Sequence, residues 1–336
     1  MLASKNYESG RALSTLPWFG LREGRLVLED TTIGPVADVH THLALSYGRR
    51  RTVDLLAPWP NTEHYLSLDR PIDLDRYANQ NFDARGLGRM RRDLSLGSLT
   101  SGGMRRTHTV PNLVREMAEM GVSRSVLLPI EMPVLSWNAE TWLEITRDEH
   151  ALVCLGSLHP LEREPAARLE SQKAAGARGV KLHPAVQLTP ADHPRAMRIY
   201  RICADIDLPV LWHCGPVGIE PAAGRWCSQL KHYWRAVAEN PDTTFVLGHA
   251  GALQMELALD LARTYPNVYL EIASQGLANV QRLVREAPPD RLMFGSDWPF
   301  YHQALPLAKA LIATEGAPEA RRRFLWETAA ELFGLE

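Results

Sequence analysis

The fold is constrained most strongly by a regular alternation of short apolar runs and helix-length amphipathic segments, which begins near residue 110 and continues to the end of the chain. Each apolar run ends in a polar or small residue, as buried strands commonly do. Apolar strands that alternate with helices indicate a parallel sheet, and eight such units predict an α/β fold of the closed (β/α)8 TIM-barrel type, with a doubly wound open sheet as the alternative. The predicted strands cover residues 36–43, 125–130, 152–159, 179–183, 209–213, 244–249, 268–274 and 291–297.

The domain organisation predicted from this pattern is a single barrel domain over residues 1–336. A barrel needs about 250 residues, so part of the chain must lie outside the repeated units. We expect an N-terminal extension over 1–35, a long insertion after the first strand over 44–109, and C-terminal helices over 305–336. A strand-like segment at 24–29 is expected to cover the bottom of the barrel. Long insertions in compact domains are commonly functional lids.

Composition limits the partners that the chain is expected to have. A net charge of −2 and an apolar content of 45% are those of a globular enzyme, with no global reason to expect a nucleic acid or a membrane as partner. The four cysteines form no Cys-x-x-Cys pair, which indicates reduced thiols and a cytoplasmic protein, and no apolar run has the length of a membrane span. We expect a small-molecule substrate, and a homodimer remains open.

Titratable residues follow the predicted strands at the end where barrel enzymes carry their chemistry. A single histidine at a strand end is commonly a hydrogen-bonded structural residue. Several imidazoles and a carboxylate in one barrel mouth, however, need a shared cation or extensive hydrogen bonding. Imidazole and carboxylate ligands suit Zn²⁺, with Mn²⁺ or Fe²⁺ as alternatives. The residues at these strand ends are His40, His42, Glu131, His159, Lys181, His183, His213, His249, Glu271 and Asp297.

His249 is the candidate for proton transfer beside such a metal. A bound metal lowers the pKa of its water toward about 7, so that a neighbouring base can take the proton. The glycines at positions 248 and 251 allow close approach of backbone and substrate to His249. The alternative is that His249 is itself a metal ligand.

Five motifs together resemble the amidohydrolase superfamily, in particular the amidohydrolase 2 type that includes aminocarboxymuconate-semialdehyde decarboxylase, resorcylate-type decarboxylases and many uncharacterised metal-dependent hydrolases. The resemblance covers residues 36–300 and implies that His40, His42, His213 and Asp297 bind a catalytic metal. It also implies that His249 orients water or transfers a proton, and that Asp297 acts as the general base. The motifs are DVHTH at 38–42, GVKLHP at 179–184, LWHCG at 211–215, GHAG at 248–251 and FGSDWP at 294–299.

Lys181 leaves the number of metal ions open. In binuclear members of the superfamily a lysine on the fourth strand is carboxylated and bridges two metals, and Lys181 lies on the fourth predicted strand. The alternative is a buried structural ion pair between Lys181 and Asp38. We favour a mononuclear site, because His183 occupies the mouth position two residues further on and is available to substrate.

The expected substrate is a small, cyclic, carboxylated molecule. Residues 49–106 contain eleven arginines, no lysine and seven acidic residues, and a guanidinium is suited to a carboxylate. We therefore expect a metal-dependent hydrolase, with a metal-dependent non-oxidative decarboxylase as the alternative. A solvated face or a subunit contact is the other interpretation of the arginines. The residues expected to contact substrate are His183, His159, Glu271, Trp298, Arg105 and Arg106.

Overall fold

Eight parallel strands form the centre of the protein in the computed structural model, which describes residues 5–133 and 136–335. Their positions overlap the predicted apolar runs, although several strands end earlier than predicted and the second begins three residues earlier. The barrel strands are β1 (Val36–Thr41), β2 (Val122–Leu127), β3 (Leu152–Cys154, continued by Gly156–Ser157), β4 (Val180–Leu182), β5 (Val210–His213), β6 (Phe245–Gly248), β7 (Val268–Glu271) and β8 (Leu292–Met293).

Backbone hydrogen bonds close these strands into a barrel. Each strand pairs in parallel with the next one along the chain. The first and last strands are joined by the bond from Val39 N to Phe294 O at 3.0 Å and by the bond from Asp297 N to His40 O at 2.8 Å. The predicted TIM barrel is therefore confirmed, and its closure places the two ends of the repeat side by side.

Helices surround the barrel and begin where the sequence chemistry favours a start. Proline occupies the first turn of five of them, where its missing N–H leaves no hydrogen bond unmade. Gly121 and Gly176 follow two helix ends with φ of 65° and 102°, the left-handed conformation that commonly ends a helix. The helices are Ala84–Leu94, Val110–Glu119, Asn138–Ile145, Pro165–Ala174, Pro184–Gln187, Pro194–Asp205, Ala222–Cys227, Lys231–Ala238, Met255–Thr264, Leu277–Glu286, Ala304–Ala313, Pro318–Arg322 and Thr328–Phe333, with one π-helical turn at Arg323–Glu327.

The bottom of the barrel is covered by the C-terminal helix. Phe333 and Leu335 pack with the inward-facing apolar side chains of the strands, such as Leu211 and Val246. The N-terminal hairpin, formed by Phe19–Arg22 and Arg25–Leu28, instead packs against the helices Val110–Glu119 and Ala304–Ala313. The expectation that segment 24–29 covers the bottom is therefore wrong, because the apolar faces of two outer helices bury this hairpin.

The insertion after β1 contacts the loops that follow β7 and β8. Leu66 N donates to Phe300 O at 2.9 Å, and Leu277 N donates to Leu74 O at 2.7 Å. Within the insertion, Ala44 N donates to His108 O at 2.9 Å, so that its two ends are tied together. The insertion thus lies beside the carboxyl ends of the strands.

Two further observations concern the chain as a whole. The four cysteines are buried free thiols. Among the described residues, no helix combines the length and the apolar character that crossing a bilayer requires.

His108 provides a test of how the insertion is packed. Burial lowers the pKa of His108 from 6.5 to about 3. The pKa of His108 is lower in the folded state than in the unfolded state. Its contribution to the free energy of unfolding is therefore fully present above pH 6.5 and is lost as the pH falls toward 3. When the pH is lowered from 6.5 to 4, we expect the free energy of unfolding to fall by about 3 kcal/mol less in the His108→Phe variant than in the wild type. Urea titration at each pH measures this difference. Parallel profiles would contradict this packing, and variants of the exposed His150 serve as the control.

Candidate metal centre

The first and last strands bring two histidines and an aspartate together at the mouth. Asp297 Oδ1 lies 3.5 Å from His42 Nε2 and 3.8 Å from His40 Nε2. One potential ligand atom from each of the three residues lies within 4.8 Å of the others, a spacing that one cation can bridge. Asp297 has a φ of 64°, an uncommon conformation for a residue other than glycine and one that is concentrated at functional sites.

Two more imidazoles complete the cluster. The His249 ring lies 4.5 Å from the His40 ring and 4.7 Å from the His213 ring, measured between centroids. His213 Nε2 is buried and has no hydrogen-bond partner among the described residues. A buried nitrogen lone pair without a partner is costly, and a bound metal would remove that cost. The residues present therefore fit a divalent metal.

Hydrogen bonds to the opposite ring nitrogens orient the imidazoles. His40 Nδ1 donates to Glu271 Oε1 at 2.6 Å, and His42 Nδ1 donates to Leu128 O at 2.8 Å. His249 Nδ1 donates in the same way to Ala273 O at 3.2 Å. Each bond fixes the proton on Nδ1 and leaves the Nε2 lone pair free toward the cluster, as metal-binding histidines require.

The electrostatics of the cluster favour neutral imidazoles and an ionised carboxylate. Burial, followed by the charge of Lys181, lowers the pKa of His40, and burial likewise lowers the pKa of His213. For Asp297, burial opposes ionisation, but the neighbouring imidazoles, that of His42 first, outweigh it and bring its pKa down to about 2. These are the protonation states in which the side chains can bind a metal.

Lys181 lies inside the barrel without a partner. Its Nζ is buried and makes no hydrogen bond to any described residue, and burial lowers its pKa to about 8. The expected alternative, an ion pair with Asp38, is wrong. Asp38 instead accepts hydrogen bonds from Ser296 Oγ at 2.5 Å and Gln303 Nε2 at 2.7 Å, which satisfy its Oδ2 from the outer side of the strand.

The residues expected to contact substrate occupy different environments. His183 stacks on His213 at 3.9 Å between ring centroids and remains half-buried at the mouth. His159 uses both nitrogens, donating to Gln187 O at 3.0 Å and accepting from Leu161 N at 3.1 Å. Of the expected set, His183 is therefore better placed to meet a substrate than His159.

Two other members of that set are enclosed by protein. Glu271 is fully buried beside the histidines, and besides His40 it accepts hydrogen bonds from His249 N and Ala273 N. Trp298 is also fully buried, and its indole Nε1 donates to Glu116 Oε2 at 3.1 Å on the helix side of the strand.

The two predicted arginines contact other residues of the insertion, Arg105 in the interior and Arg106 at the surface. Arg105 is buried and donates to Gly97 O at 3.0 Å and Thr100 O at 2.6 Å, among other oxygens of the insertion. Arg106 lies over the ring of Trp59 at 4.9 Å and pairs with Glu63. Both side chains hold the insertion together in this conformation.

Sequence reasoning missed residues that surround the cluster. Ser274 Oγ donates to Asp297 Oδ2 at 3.2 Å, and its place at the end of the predicted seventh strand was the signal for it. Tyr65 lines, together with Phe300 and His42, a narrow recess of about 20 Å³. Tyr65 comes from the insertion, where no periodicity indicates which residues turn toward the mouth.

The fold is a TIM barrel, and the donor set at the carboxyl ends of its strands fits a divalent metal. The family model described as amidohydrolase matches residues 37–335, and the chain belongs to that family. Its members include metal-dependent hydrolases and decarboxylases.

Solved structures with the same architecture are distant in sequence. An uncharacterised TIM-barrel protein from Bordetella bronchiseptica is 19% identical, with 90% of this chain and 99% of that chain covered and a TM-score of 0.62. A probable 2-pyrone-4,6-dicarboxylic acid hydrolase from Acinetobacter baumannii, with citric acid bound, is 14% identical, with coverages of 89% and 99% and a TM-score of 0.56. A mutant of 5-carboxyvanillate decarboxylase from Novosphingobium aromaticivorans, with manganese bound, is 16% identical, with coverages of 91% and 99% and a TM-score of 0.59. No curated protein matches the chain.

Glu271 provides a test of the metal centre. Replacing Glu271 by glutamine keeps its shape but weakens the acceptor that orients His40, and such partners of metal ligands are worth about 10- to 100-fold in metal affinity. We expect the Glu271→Gln variant to bind Zn²⁺ about 10- to 100-fold more weakly, measured by competition with a chelating dye. Glu140→Gln, which changes a carboxylate paired with Arg168, is the matched control. Equal affinity in wild type and Glu271→Gln would contradict the arrangement.

Proposed function

We propose that the protein is a metal-dependent hydrolase that acts on a small, cyclic, carboxylated substrate through metal-activated water. The observation that carries this proposal is the convergence of His40, His42 and Asp297 at one mouth. The buried His213 Nε2, which has no hydrogen-bond partner among the described residues, supports it. Family membership and the barrel fold support the same class of chemistry.

In this proposal the metal would be held by His40, His42, His213 and Asp297. When bound there, a divalent ion lowers the pKa of water and polarises a substrate carbonyl. Zinc suits three imidazoles and a carboxylate, and the manganese bound in 5-carboxyvanillate decarboxylase makes manganese the alternative. The buried Lys181 would belong to the ligand set only in a binuclear site.

The chain's own residues would supply proton transfer. His249 is neutral, because burial lowers its pKa, and the bond from its Nδ1 to Ala273 O leaves Nε2 as a proton acceptor. Asp297, whose pKa is about 2, is a weaker base at neutral pH, and its Oδ2 is oriented by Ser274. We therefore assign the main proton transfer to His249, while Asp297 orients the reacting water.

The substrate would bind at the mouth beside His42, where Tyr65 and Phe300 provide aromatic walls. The recess between these side chains holds only about 20 Å³, so a small ring would need them to move apart. His183, half-buried against His213, would contact the substrate at the opposite side of the mouth. The arginines at 105 and 106 would act indirectly, through the shape of the insertion.

A decarboxylase is the second candidate. The structural likeness to 5-carboxyvanillate decarboxylase favours it, and the same ligand set would suit a substrate carboxylate next to a hydroxyl. His249 would then deliver a proton to carbon instead of taking one from water. The two candidates differ in product, because decarboxylation releases CO2 and adds no water.

Turnover of two probe substrates tests the proposal. We expect the zinc- or manganese-loaded protein to open the ring of 2-pyrone-4,6-dicarboxylate, which is measured as a loss of ring absorbance. We expect it to release no CO2 from 5-carboxyvanillate. We expect His249→Asn and Asp297→Asn to lower kcat about 10²- to 10⁴-fold, the range typical of lost proton transfer. Release of CO2 with an intact ring selects the decarboxylase, and equal turnover after metal removal contradicts both candidates.

A further inference from the structure

The segment that carries His249 has a strained backbone. His249, Ala250 and Ala252 have φ of 56°, 42° and 50°, and Gly251 between them has 79°, so four successive residues are left-handed. Residues other than glycine persist in this region only where the surrounding structure fixes them. The position of the His249 imidazole therefore depends on whatever fixes this segment.

Gln275 bonds to both ends of the strained segment. Its side-chain Nε2 donates to His249 O at 2.7 Å and to Ala252 O at 2.9 Å. Gln275 is 1% exposed, so water does not compete for these two carbonyls from its side. One buried amide group thus spans the four residues and donates to a carbonyl at each of their ends.

Gln275 is itself held by three neighbours. Its Oε1 accepts from Asn279 Nδ2 at 2.8 Å, which directs the NH2 group toward the segment. Its backbone oxygen accepts from the buried Lys309 Nζ at 2.7 Å, and its backbone N–H donates to Ile272 O at 2.9 Å. The orientation of the amide is therefore determined, and Lys309 anchors the residue from the helix Ala304–Ala313.

The opposite side of the segment leaves no room for an alternative path. A Cβ placed on Gly215 would lie 1.9 Å from Gly251 O, so the loop after β5 packs directly against the segment. Gly215 and Gln275 therefore both restrict the path of the segment.

We propose that Gln275, anchored by Lys309, is a positioning residue that sets the orientation of His249 for proton transfer. This inference rests on the proposed function of His249. The metal ligands on β1, β5 and β8 lie outside the strained segment, so loss of Gln275 affects His249 and leaves metal binding in place.

Hydrogen–deuterium exchange of the metal-loaded and metal-free full-length protein tests the positioning directly, without need of a substrate. Gln275→Met keeps the length of the side chain and removes its donors, and we expect it to raise the exchange of a peptide covering 249–254 about tenfold. Asn279→Leu removes the hydrogen bond that orients the Gln275 amide but leaves Gln275 in place. We expect a smaller effect in the same direction, and this variant covers the case in which Gln275→Met folds poorly. Unchanged exchange in both variants overturns the inference.

Asn267→Leu is the matched control. Its amide Nδ2 likewise donates to two carbonyls, Thr243 O at 2.7 Å and Asn240 O at 3.3 Å, at the opposite end of the barrel. We expect this variant to leave the exchange of 249–254 unchanged. A rise as large as that of Gln275→Met would mean general loosening and would overturn the specific role.

Kinetics on the two probe acids distinguish positioning from stability. We expect Gln275→Met to lower kcat about tenfold with KM changed less than about twofold, to keep the wild-type metal content, and to have no further effect in a His249→Asn background. A further tenfold loss of kcat in the His249→Asn background would overturn the inference that Gln275 acts through His249. If neither acid is turned over by the wild type, the proposed function fails, while the exchange experiment still decides this inference.

Discussion

The site depends on the closure of the barrel between its first and last strands. The hydrogen bond from Asp297 N to His40 O joins the two strands at the level of the metal centre. The bond between His40 and Glu271, residues 231 positions apart, adds the seventh strand to the same cluster. Because the ligands come from opposite ends of the chain, the site exists only in the closed barrel, and binding of a metal would stabilise that closure in turn.

Burial makes this cluster costly without a cation. Imidazoles, a lysine and carboxylates lie together within the mouth, and most of their polar atoms are satisfied by backbone oxygens and amides. His213 Nε2 and Lys181 Nζ are exceptions, buried without hydrogen-bond partners among the described residues. A metal bound by His213 would satisfy the first of these atoms. The strained conformations of His249 and Asp297 concentrate in the same place, which is consistent with selection for chemistry there more than for stability.

The elements of the barrel could be predicted from the sequence because they follow local periodicity. Apolar runs placed all eight strands, and helices such as Pro194–Asp205 and Leu277–Glu286 occupy the amphipathic segments between them. The strand-end rule also predicts that His40, His42 and Asp297 share one mouth. Each of these inferences uses residues close in sequence or a property of the whole fold.

The remaining features depend on contacts that no local pattern records. Asp38 accepts from Gln303, far along the chain, so its partner could not be inferred from its place on β1. Arg105 binds carbonyls of the insertion, a segment whose path is set by irregular turns instead of periodicity. Gln275 bonds to the strained segment because the positive φ angles of other residues turn their carbonyls toward it. The sequence around Gln275 gives no sign of that strain.

The most direct test of this account is anomalous X-ray diffraction from crystals grown with zinc, recorded above the zinc absorption edge. We predict a peak about 2.0 to 2.2 Å from the Nε2 atoms of His40 and His42 and from an oxygen of Asp297, with His213 completing the ligand set. A protein that binds no zinc at this mouth, or that binds it with these side chains turned away, would contradict the account.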